Sequence, residues 1–454
     1  MTLPPPATPD PTPEALLRTH PALHEDPRRG LMLEGVALAE IAAQAGTPCW
    51  VIGAQTLRQR ARALKAAFGD AGLKPSFHFA VKAQDHQATL TLLRQEGFGG
   101  DVVSGGELQR CLRAGMEPQG LVYSGVGKTD EELRLALREG IGQINVESPE
   151  ELVRLNALAL ELGLRAPVAL RVNPDVDAGT HDKITTGRAE DKFGIAAPEI
   201  IALYRQACET MPGIEMRGLA VHLGSQILTE TPYRQGYQRL AELVTQLRAE
   251  GLAVHTLDCG GGLGIAYRDE QAPEPAMLAR VIADILGPLE VELKIEPGRW
   301  LVGPAGVLVS RVIGTRAASE AAQALGSPDF VILDAGMNDL LRPALYEAWH
   351  GLLPVAPARR PERDWREVDV VGPICESSDV FARNRRLPPL EQGDLVALLD
   401  AGAYGSVMSS TYNTRPFCAQ VMVDGDQWRV IRPRQTLEEL LAVESVPEWL
   451  AEQA

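Results

Sequence analysis

The feature that most constrains the fold is a unit that recurs between about residues 50 and 300. Each unit has a short apolar strand, a polar residue at the end of that strand, a loop and an amphipathic helix. Strands that alternate with helices pair in parallel, and eight such units predict a closed (β/α)8 barrel. An open, doubly wound sheet is the alternative, which strand number alone does not exclude. The candidate strands end at Lys82, Asp101, Ser124, Glu147, Asn173, His222, Asp258 and Glu296.

The segments between these strands follow the helical period, as in 129–139, 148–162 and 233–250. Ser148 followed by Pro149 and two glutamates is a typical helix start. In (β/α)8 barrels the active site lies at the carboxyl ends of the strands. The polar residues that end the strands are therefore the expected place for chemistry.

The pattern changes after about residue 305, where short strand-like segments follow one another with few helices between them. The segment Val423–Gln427 contains Asp-Gly, which favours a hairpin turn. We predict a barrel over residues 53–304 and an all-β domain, a β-sandwich or Greek key, over residues 305–454. Residues 20–52 are expected to add to the β domain, and the proline-rich residues 1–19 to form a flexible tail. The predicted strands of the second half are 307–312, 330–334, 367–371, 395–399, 419–423 and 428–431.

Composition limits the possible partners and the compartment. A net charge of −16 over 454 residues disfavours nucleic acids and anionic membranes as partners. No stretch is long and apolar enough to span a bilayer, and the amino terminus lacks the layout of a secretory signal. The six cysteines are scattered without metal-binding spacing, so we expect no metal site and a reducing compartment, the cytoplasm.

Each chemical motif in the barrel half also has an ordinary structural interpretation. Lys82, at the end of an apolar strand, is by itself more typical of a surface lysine than of an amine nucleophile. The glycine-rich segment 258–264 is either a tight turn or an anion-binding loop. His222 is more often a packed bystander, although the nearby Ser225 suits a phosphate oxygen. Glu296 either pairs with Arg299 or keeps a ring nitrogen protonated.

Two segments of the second half are rich in polar groups. Cys375 stands beside Glu376 in a loop of glycines and serines, where the thiol is either a small apolar group or a proton donor. The stretch 404–416 is polar and weakly periodic, which favours an interface or a binding loop. No single motif of either half decides the function.

Together, these segments resemble the fold-type III pyridoxal-phosphate-dependent decarboxylases, and the resemblance covers about residues 45–425. It is closest to the branch of the family that acts on diaminopimelate. The segments that carry the resemblance occur in the family's order: Phe79-Ala-Val-Lys82-Ala, Lys192-Phe-Gly-Ile195, His222-Leu-Gly-Ser-Gln226, Gly260-Gly-Gly-Leu-Gly264, Glu296-Pro-Gly-Arg299, Asn338-Asp-Leu-Leu-Arg342-Pro-Ala-Leu-Tyr346, Cys375-Glu-Ser-Ser-Asp379 and Tyr412-Asn413 with Arg415-Pro416.

The resemblance implies a cofactor, pyridoxal 5'-phosphate, that Lys82 holds as a Schiff base. It also implies that Cys375 returns a proton to the α-carbon after CO2 has left. This proton would cross the interface of a homodimer whose active sites are shared between the two chains. The other residues that the resemblance places around the cofactor are Asp101, Arg171, His222, Ser225, Gly262, Glu296, Gly298, Arg299 and Tyr404.

The implied reaction is the decarboxylation of meso-2,6-diaminopimelate to L-lysine, in lysine biosynthesis. Arg299 and Arg342 suit the distal carboxylate of this small-molecule substrate, and Glu376 suits its distal ammonium. Tyr346 and Tyr404 are expected to add hydrogen bonds.

Three alternatives remain at this point. One is a related decarboxylase for lysine, ornithine, carboxynorspermidine or a carrier-bound glutamyl group. Another is alanine racemase, which would place an arginine at the ring nitrogen, where this chain has Glu296. The last is a cofactor-binding homologue without turnover.

Overall fold

The first elements of the chain precede its repeating part. The computed structural model describes residues 10–176, 191–356 and 364–451. Of the predicted tail, residues 1–9 lie outside the described residues, whereas the end of the tail forms a helix that Thr12 caps by accepting the Ala15 N–H. The first elements are α1 (Pro13–Thr19), β1 (Leu23–Asp26), β2 (Gly30–Leu33), β3 (Val36–Ala37), α2 (Leu38–Ala45) and β4 (Cys49–Gly53).

Strands and helices then alternate along the chain. The elements of this part are α3 (Ala54–Asp70), β5 (Ser76–Ala80), α4 (Gln87–Gln95), β6 (Gly99–Val102), α5 (Gly105–Arg113), β7 (Leu121–Tyr123), α6 (Asp130–Glu139), β8 (Gln143–Val146), α7 (Pro149–Glu161), β9 (Ala166–Asn173), β10 (Ile195–Ala196), α8 (Ala197–Thr210), β11 (Ile214–Val221), α9 (Thr231–Ala249), β12 (Thr256–Asp258), α10 (Pro275–Ile285), β13 (Glu292–Ile295) and α11 (Arg299–Val302).

Eight of these strands form a closed parallel barrel. The order is β5, β6, β7, β8, β9, β11, β12 and β13, and β13 pairs again with β5, where Ile295 lies beside Phe77. This closure confirms the predicted (β/α)8 barrel and excludes the open sheet. The polar residues that end the predicted strands all lie in the last two positions of a strand or within the two residues after it: Lys82, Asp101, Ser124, Glu147, Asn173, His222, Asp258 and Glu296.

The rest of the chain is rich in strands. Its elements are β14 (Gly306–Arg316), α12 (Glu320–Gln323), β15 (Asp329–Leu333), α13 (Arg342–Tyr346), β16 (Leu352–Pro354), β17 (Arg366–Val371), β18 (Val380–Leu387), β19 (Leu395–Leu398), β20 (Ala419–Asp424), β21 (Gln427–Arg432), α14 (Leu437–Leu441) and α15 (Glu448–Ala451).

These strands build a mixed sheet around the long strand β14. The order is β18, β17, β15, β14, β4, β20 and β21, and β19 pairs with both β14 and β16. The strand β14 pairs with β4 and β19 in its first half and with β15 in its second, and the β14–β15 pairing shifts register between Val312 and Gly314. The predicted hairpin turn joins β20 to β21, with Gly425 at a φ of +67°.

Alternate residues of this sheet enter different apolar clusters. Val51, Val307 and Val421 lie in one buried cluster, whereas Trp50 and Leu308, one position away, lie in another. Successive side chains of a strand point to opposite faces, so both faces of the sheet are covered. The result is a sheet-rich unit with its own core, as predicted.

The chain divides into two compact units. The barrel unit comprises Leu57–Ala266 and Glu270–Gly303, and the sheet-rich unit comprises Met1–Thr56, Tyr267–Asp269 and Pro304–Ala454. Within the described ranges, no helix has both the length and the apolar character needed to cross a bilayer.

Candidate active site

Lys82 and Asp101 meet because their strands, β5 and β6, are neighbours in the barrel. Lys82 Nζ donates to Asp101 Oδ2 at 3.0 Å. The Asp101 side chain is fully buried, whereas 31% of the Lys82 side chain is exposed. The Lys82 side chain is therefore positioned by Asp101 and is partly accessible, and an amine that reacts with an aldehyde needs such access.

Glu296 follows β13 and carries a buried carboxyl group. Burial, followed by the Asp101 and Asp258 carboxylates, raises the pKa of Glu296 well above its usual value, and Lys82 opposes the rise. Its Oε1 atom is buried and has no hydrogen-bond partner in the part of the chain that the structure describes. A buried acceptor without a donor costs free energy, so this oxygen is suited to a donor from a bound molecule.

His222, which follows β11, is a neutral imidazole next to this carboxyl group. Burial, then the charges of Lys82 and Arg171, lowers the pKa of His222 well below its usual value. Its Nδ1 atom accepts the Gly261 N–H at 3.4 Å and lies 3.8 Å from Glu296 Oε2. With Nδ1 as an acceptor, the neutral ring carries its hydrogen on Nε2.

The glycine-rich loop after β12 has no room for side chains. Gly262 has a φ of +94°, and a Cβ atom there would lie 2.5 Å from Gly224 O. A Cβ atom on Gly261 would lie 2.0 Å from Glu296 O. The Ile227 N–H donates to Gly262 O at 2.9 Å. Glycine thus lets this loop pack directly against the segments that follow β11 and β13.

Ser225 and Arg299 come together beside this loop. Arg299 Nη2 donates to Ser225 Oγ at 3.0 Å, and the arginine is buried. Arg299 is the first residue of α11, directly after Gly298. A guanidinium and a hydroxyl group side by side are donors that suit a phosphate group.

Arg171 is bound to Glu147, a residue to which the sequence analysis gave no role. Arg171 Nη1 donates to Glu147 Oε1 at 2.7 Å, and the guanidinium lies 4.9 Å from the centre of the Phe193 ring. Glu147 also accepts the Gly125 and Gly194 N–H groups. The position of Glu147 at a strand end indicated a candidate functional residue, but its ion pair with Arg171 was not evident from the sequence.

A buried polar network inside the barrel was also missed. Asp258 Oδ2 accepts hydrogen bonds from Asn145 Nδ2 at 3.0 Å and Gln143 Nε2 at 3.3 Å, and Asn145 also donates to Ser124 Oγ. Burial raises the pKa of Asp258. The alternation of Gln143 and Asn145 in β8 was the available signal, since alternate residues face the barrel interior.

In the sheet-rich unit, Glu376 is held as a carboxylate next to Cys375. Tyr412 Oη donates to Glu376 Oε1 at 2.6 Å, and Ser378 Oγ donates to Oε2 at 3.0 Å. These two hydrogen bonds, that of Tyr412 first, lower the pKa of Glu376. The Cys375 N–H donates to Asn413 Oδ1 at 3.1 Å, and Cys375 is exposed in this chain.

Arg342 lies buried at the start of α13, and Tyr346 is the last residue of that helix. Arg342 Nη1 donates to His350 Nε2 at 2.8 Å, and its guanidinium lies 4.7 Å from the centre of the Tyr267 ring. Neither His350 nor Tyr267 belongs to a motif that the sequence analysis recognised. Tyr404 lies in the loop after β19 with a φ of +54°, which is unusual for an aromatic residue.

The predicted residues thus fall in the two units. The barrel unit brings its members together at the carboxyl ends of the strands, and the sheet-rich unit carries the others. The barrel members are Lys82, Asp101, Arg171, His222, Ser225, Gly262, Glu296, Gly298 and Arg299; those of the sheet-rich unit are Arg342, Tyr346, Cys375, Glu376 and Tyr404.

Comparison with known proteins identifies similar chains. Residues 54–303 match the family model described as pyridoxal-dependent decarboxylase, pyridoxal binding domain. The chain is 45% identical to diaminopimelate decarboxylase of Zymomonas mobilis over 92% of this chain and 98% of that protein. It is 46% identical to the Pseudomonas aeruginosa enzyme of that name, over 92% and 97%. The structure of diaminopimelate decarboxylase from M. jannaschii in co-complex with L-lysine matches with a TM-score of 0.87 and 33% identity, over 95% and 99%.

Proposed function

Because the chain belongs to the family of pyridoxal-dependent decarboxylases, we propose that it converts meso-2,6-diaminopimelate to L-lysine and CO2. It is a carboxy-lyase of lysine biosynthesis with pyridoxal 5'-phosphate as its cofactor. The observation that carries the proposal is the accessible Lys82 amine on Asp101, at the same end of the barrel as the unsatisfied Glu296 Oε1 atom.

The barrel residues fit this cofactor in two respects. The buried Glu296 Oε1 atom lacks a donor, which a protonated ring nitrogen would supply. The Ser225–Arg299 pair beside the glycine-rich loop offers donors to a phosphate group. When bound, the cofactor supplies an aldehyde that condenses with amines and a ring that takes up the electron pair left by departing CO2.

Lys82 would be the amine that holds the cofactor and is available for exchange with the substrate's amino group. Asp101 orients the Lys82 amine through the hydrogen bond of 3.0 Å, and its negative charge balances the positive charge of the protonated amine. Arg171 flanks the cofactor from its fixed place on Glu147. The roles of these residues follow the family resemblance, and the geometry of their contacts supports them.

The other barrel residues orient the ring and the phosphate. Glu296 would accept the N–H of the cofactor ring, and the neutral His222 would lie beside the ring without adding a charge that competes for Glu296. Ser225, Gly262 and the segment 298–299 would bind the phosphate, and Tyr404 would add its hydroxyl group, as the family resemblance implies. A positive charge at the ring stabilises the carboxylate form of Glu296, which burial alone disfavours.

The distal head of diaminopimelate carries a carboxylate and an ammonium group. Arg299 and Arg342 bind the carboxylate, since a guanidinium matches its two oxygens in a fork. Glu376, whose pKa is lowered by Tyr412 and Ser378, binds the ammonium as a carboxylate. Tyr346 contributes a further hydrogen bond. A substrate that ends in a bare ammonium group would have no use for Arg342.

The reaction ends with the transfer of a proton to the α-carbon. The bond between the α-carbon and the carboxylate breaks, CO2 leaves, and the Cys375 thiol gives its proton to the α-carbon before solvent restores it. We place this thiol in the active site of a partner copy, in a homodimer with shared active sites. The exposure of Cys375 and Glu376 in one chain supports this arrangement.

The proposed compartment is the cytoplasm. All six cysteines, which lie in the described ranges, are free thiols. Unpaired cysteines are typical of a reducing compartment. Cell fractionation with an antibody against the chain tests this assignment, and recovery in an extracytoplasmic fraction would contradict it.

Replacement of Arg342 tests the substrate assignment. Arg342→Ala is expected to lower kcat/KM for diaminopimelate by about a hundredfold or more, because the distal carboxylate loses a charged partner. The visible absorbance of the bound cofactor should not change. Arg316→Ala, at an exposed arginine of the same unit, is the matched control. Unaltered turnover of diaminopimelate by Arg342→Ala would reject the role of Arg342.

A further inference from the structure

We propose that His350 is a positioning residue for substrate recognition, which fixes the guanidinium of Arg342 in the orientation that binds the distal carboxylate. The inference rests on the proposed function, and it extends the specificity site to a residue outside the motifs of the family resemblance. His350 acts through Arg342 and makes no contact with the reacting atoms in this account.

The contact between the two side chains sets the protonation of His350. Arg342 Nη1 and His350 Nε2 are 2.8 Å apart, and both residues are buried. A guanidinium has no acceptor, so Nε2 must accept and the ring hydrogen must lie on Nδ1. Nδ1 lies 2.7 Å from Leu399 O, a carbonyl that accepts this hydrogen. The imidazole is therefore neutral: Nε2 accepts a hydrogen bond from Arg342, and Nδ1 donates one to Leu399 O.

Tyr267 restrains the same guanidinium from another direction. The Arg342 Cζ atom lies over the Tyr267 ring, 4.7 Å from its centre. The Tyr267 and His350 rings meet nearly at right angles, at 79° and 5.4 Å between centres. The Tyr267 ring packs against the guanidinium and the His350 ring accepts a hydrogen bond from it, so two contacts restrain its orientation. Arginine recognises carboxylate through a planar fork, so both restraints act on the property that gives specificity.

The backbone of His350 is itself held in place by a second arginine. Arg385 Nη1 donates to His350 O at 2.9 Å, and Arg385 Nε lies 3.0 Å from Asp10 Oδ2. The Arg385 guanidinium also lies 4.3 Å from the centre of the Trp349 ring. His350 is thus fixed through its main chain as well as through both ring nitrogens, as expected for a residue whose task is to orient another.

Two substitutions separate positioning from simple packing. His350→Phe keeps an aromatic ring against Tyr267 and removes the acceptor for Arg342. His350→Gln removes the ring and places a carbonyl oxygen near the position of Nε2. If His350 only fills space, the phenylalanine variant should bind diaminopimelate more tightly than the glutamine variant. If His350 positions Arg342, the glutamine variant should bind diaminopimelate more tightly than the phenylalanine variant.

The measurements are KM and kcat for diaminopimelate and inhibition by L-lysine, which keeps one amino-acid head. In His350→Phe, KM and the inhibition constant of L-lysine should each rise about tenfold, since an oriented charged hydrogen bond is lost. We expect kcat and the cofactor absorbance to stay near those of the parent. His350→Gln should recover most of the affinity.

The proposal is overturned if folded His350→Phe keeps both constants within about twofold of the parent, or if His350→Gln is equally impaired. If the phenylalanine variant does not fold, His350→Asn replaces it, since its shorter amide does not reach Arg342; equal constants in the asparagine and glutamine variants would then refute the proposal. Failure of the proposed function itself would appear in the parent, as absent CO2 release from diaminopimelate.

Discussion

At the scale of single residues, two lysines of the barrel unit show how partners decide what a side chain can do. The Lys82 side chain is partly exposed, and its Nζ lies 3.0 Å from the Asp101 carboxylate. Lys128 Nζ is buried among three oxygens, those of Gly125, Asn145 and Glu151, at 2.6 to 2.8 Å. The Lys82 side chain is accessible to a ligand, whereas the Lys128 amine is fully occupied by contacts within the barrel unit. The sequence around Lys128 does not reveal this difference, because two of its three acceptors, Asn145 O and the Glu151 carboxylate, come from later segments of the chain.

Lys82 is predicted to carry the cofactor covalently. Treatment of the holoenzyme with borohydride followed by peptide mass spectrometry should find pyridoxal phosphate on the peptide that contains Lys82. Lys82→Arg preserves the positive charge next to Asp101, but a guanidinium does not condense with the aldehyde, so the label and the absorbance of the bound cofactor should disappear. Activity should fall about a thousandfold or more. A label on another lysine of the parent would contradict the assignment.

Tyr412 is predicted to control the pH dependence of substrate binding through Glu376. Its hydrogen bond lowers the pKa of Glu376, and the carboxylate form persists at pH values above that pKa. In Tyr412→Phe the pKa of Glu376 should rise towards its usual value, and the carboxylate should be lost at a higher pH on acidification. The acid limb of kcat/KM for diaminopimelate should therefore move to higher pH.

The control for Tyr412 is Ser378→Ala, which removes the weaker of the two hydrogen bonds to Glu376. It should move the acid limb in the same direction by a smaller amount. An acid limb that stays in place in Tyr412→Phe would mean that Glu376 does not govern binding in this pH range.

Among the elements, the repeated strand–helix units were predictable from the sequence. A strand whose side chains depend on partners elsewhere in the chain was not. The barrel was predictable because each strand is an apolar run closed by a polar residue, whereas β18 was missed. Its sequence, Val380–Leu387, contains three arginines and lacks a clean alternation. Two of them are satisfied by tertiary contacts, Arg383 with Asp369 and Arg385 with His350 O. Such partners lie far away in sequence, so local pattern alone could not indicate this strand.

The buried ion pair between the β7–α6 loop and α7 is predicted to stabilise this part of the barrel. Lys128 Nζ lies 2.7 Å from Glu151 Oε1, and both side chains are buried. Lys128→Met leaves a buried carboxylate without its cation, so the free energy of unfolding should fall by about 3–5 kcal/mol. Chemical denaturation monitored by circular dichroism measures the change.

Two further variants define the origin of this loss. Lys128→Met combined with Glu151→Leu should regain part of the stability, because no unpaired charge is left in the interior. Arg134→Met removes the exposed ion pair between Arg134 and Glu161, which joins α6 to α7, and should hardly change the unfolding curve. Equal losses in Lys128→Met and Arg134→Met would contradict the proposed effect of burial.

At the scale of the whole molecule, the candidate residues are distributed over two units. In the barrel, strand ends and a glycine-rich loop marked candidate residues, and the family resemblance supplied their proposed roles. In the sheet-rich unit, Cys375 and Glu376 were candidates because of their polar loop, whereas Arg342 was identified only through the family resemblance, since the short helix α13 carries no pattern typical of a binding site. His350 and Tyr267 were not predicted at all, because what they do depends on a contact with Arg342 and not on any local pattern.

A homodimer with shared sites predicts that two inactive variants can restore each other. Lys82→Ala lacks the cofactor lysine and Cys375→Ala lacks the proton donor, so each alone should be nearly inactive. In a mixed dimer, one of the two sites would contain both normal residues. Co-expression of the two variants should therefore recover about a quarter of the parent activity. No recovery in a verified mixed dimer would place both residues in the same chain's site.

The proposed decarboxylation of diaminopimelate is tested most directly by measuring CO2 release from three substrates: meso-diaminopimelate, L-lysine and L-ornithine. The assay uses the parent protein loaded with pyridoxal phosphate. Only diaminopimelate offers a distal carboxylate to Arg299 and Arg342. Its kcat/KM should exceed those of the other two by about a hundredfold or more, with L-lysine as the product. Turnover of diaminopimelate no better than that of lysine or ornithine would contradict the account.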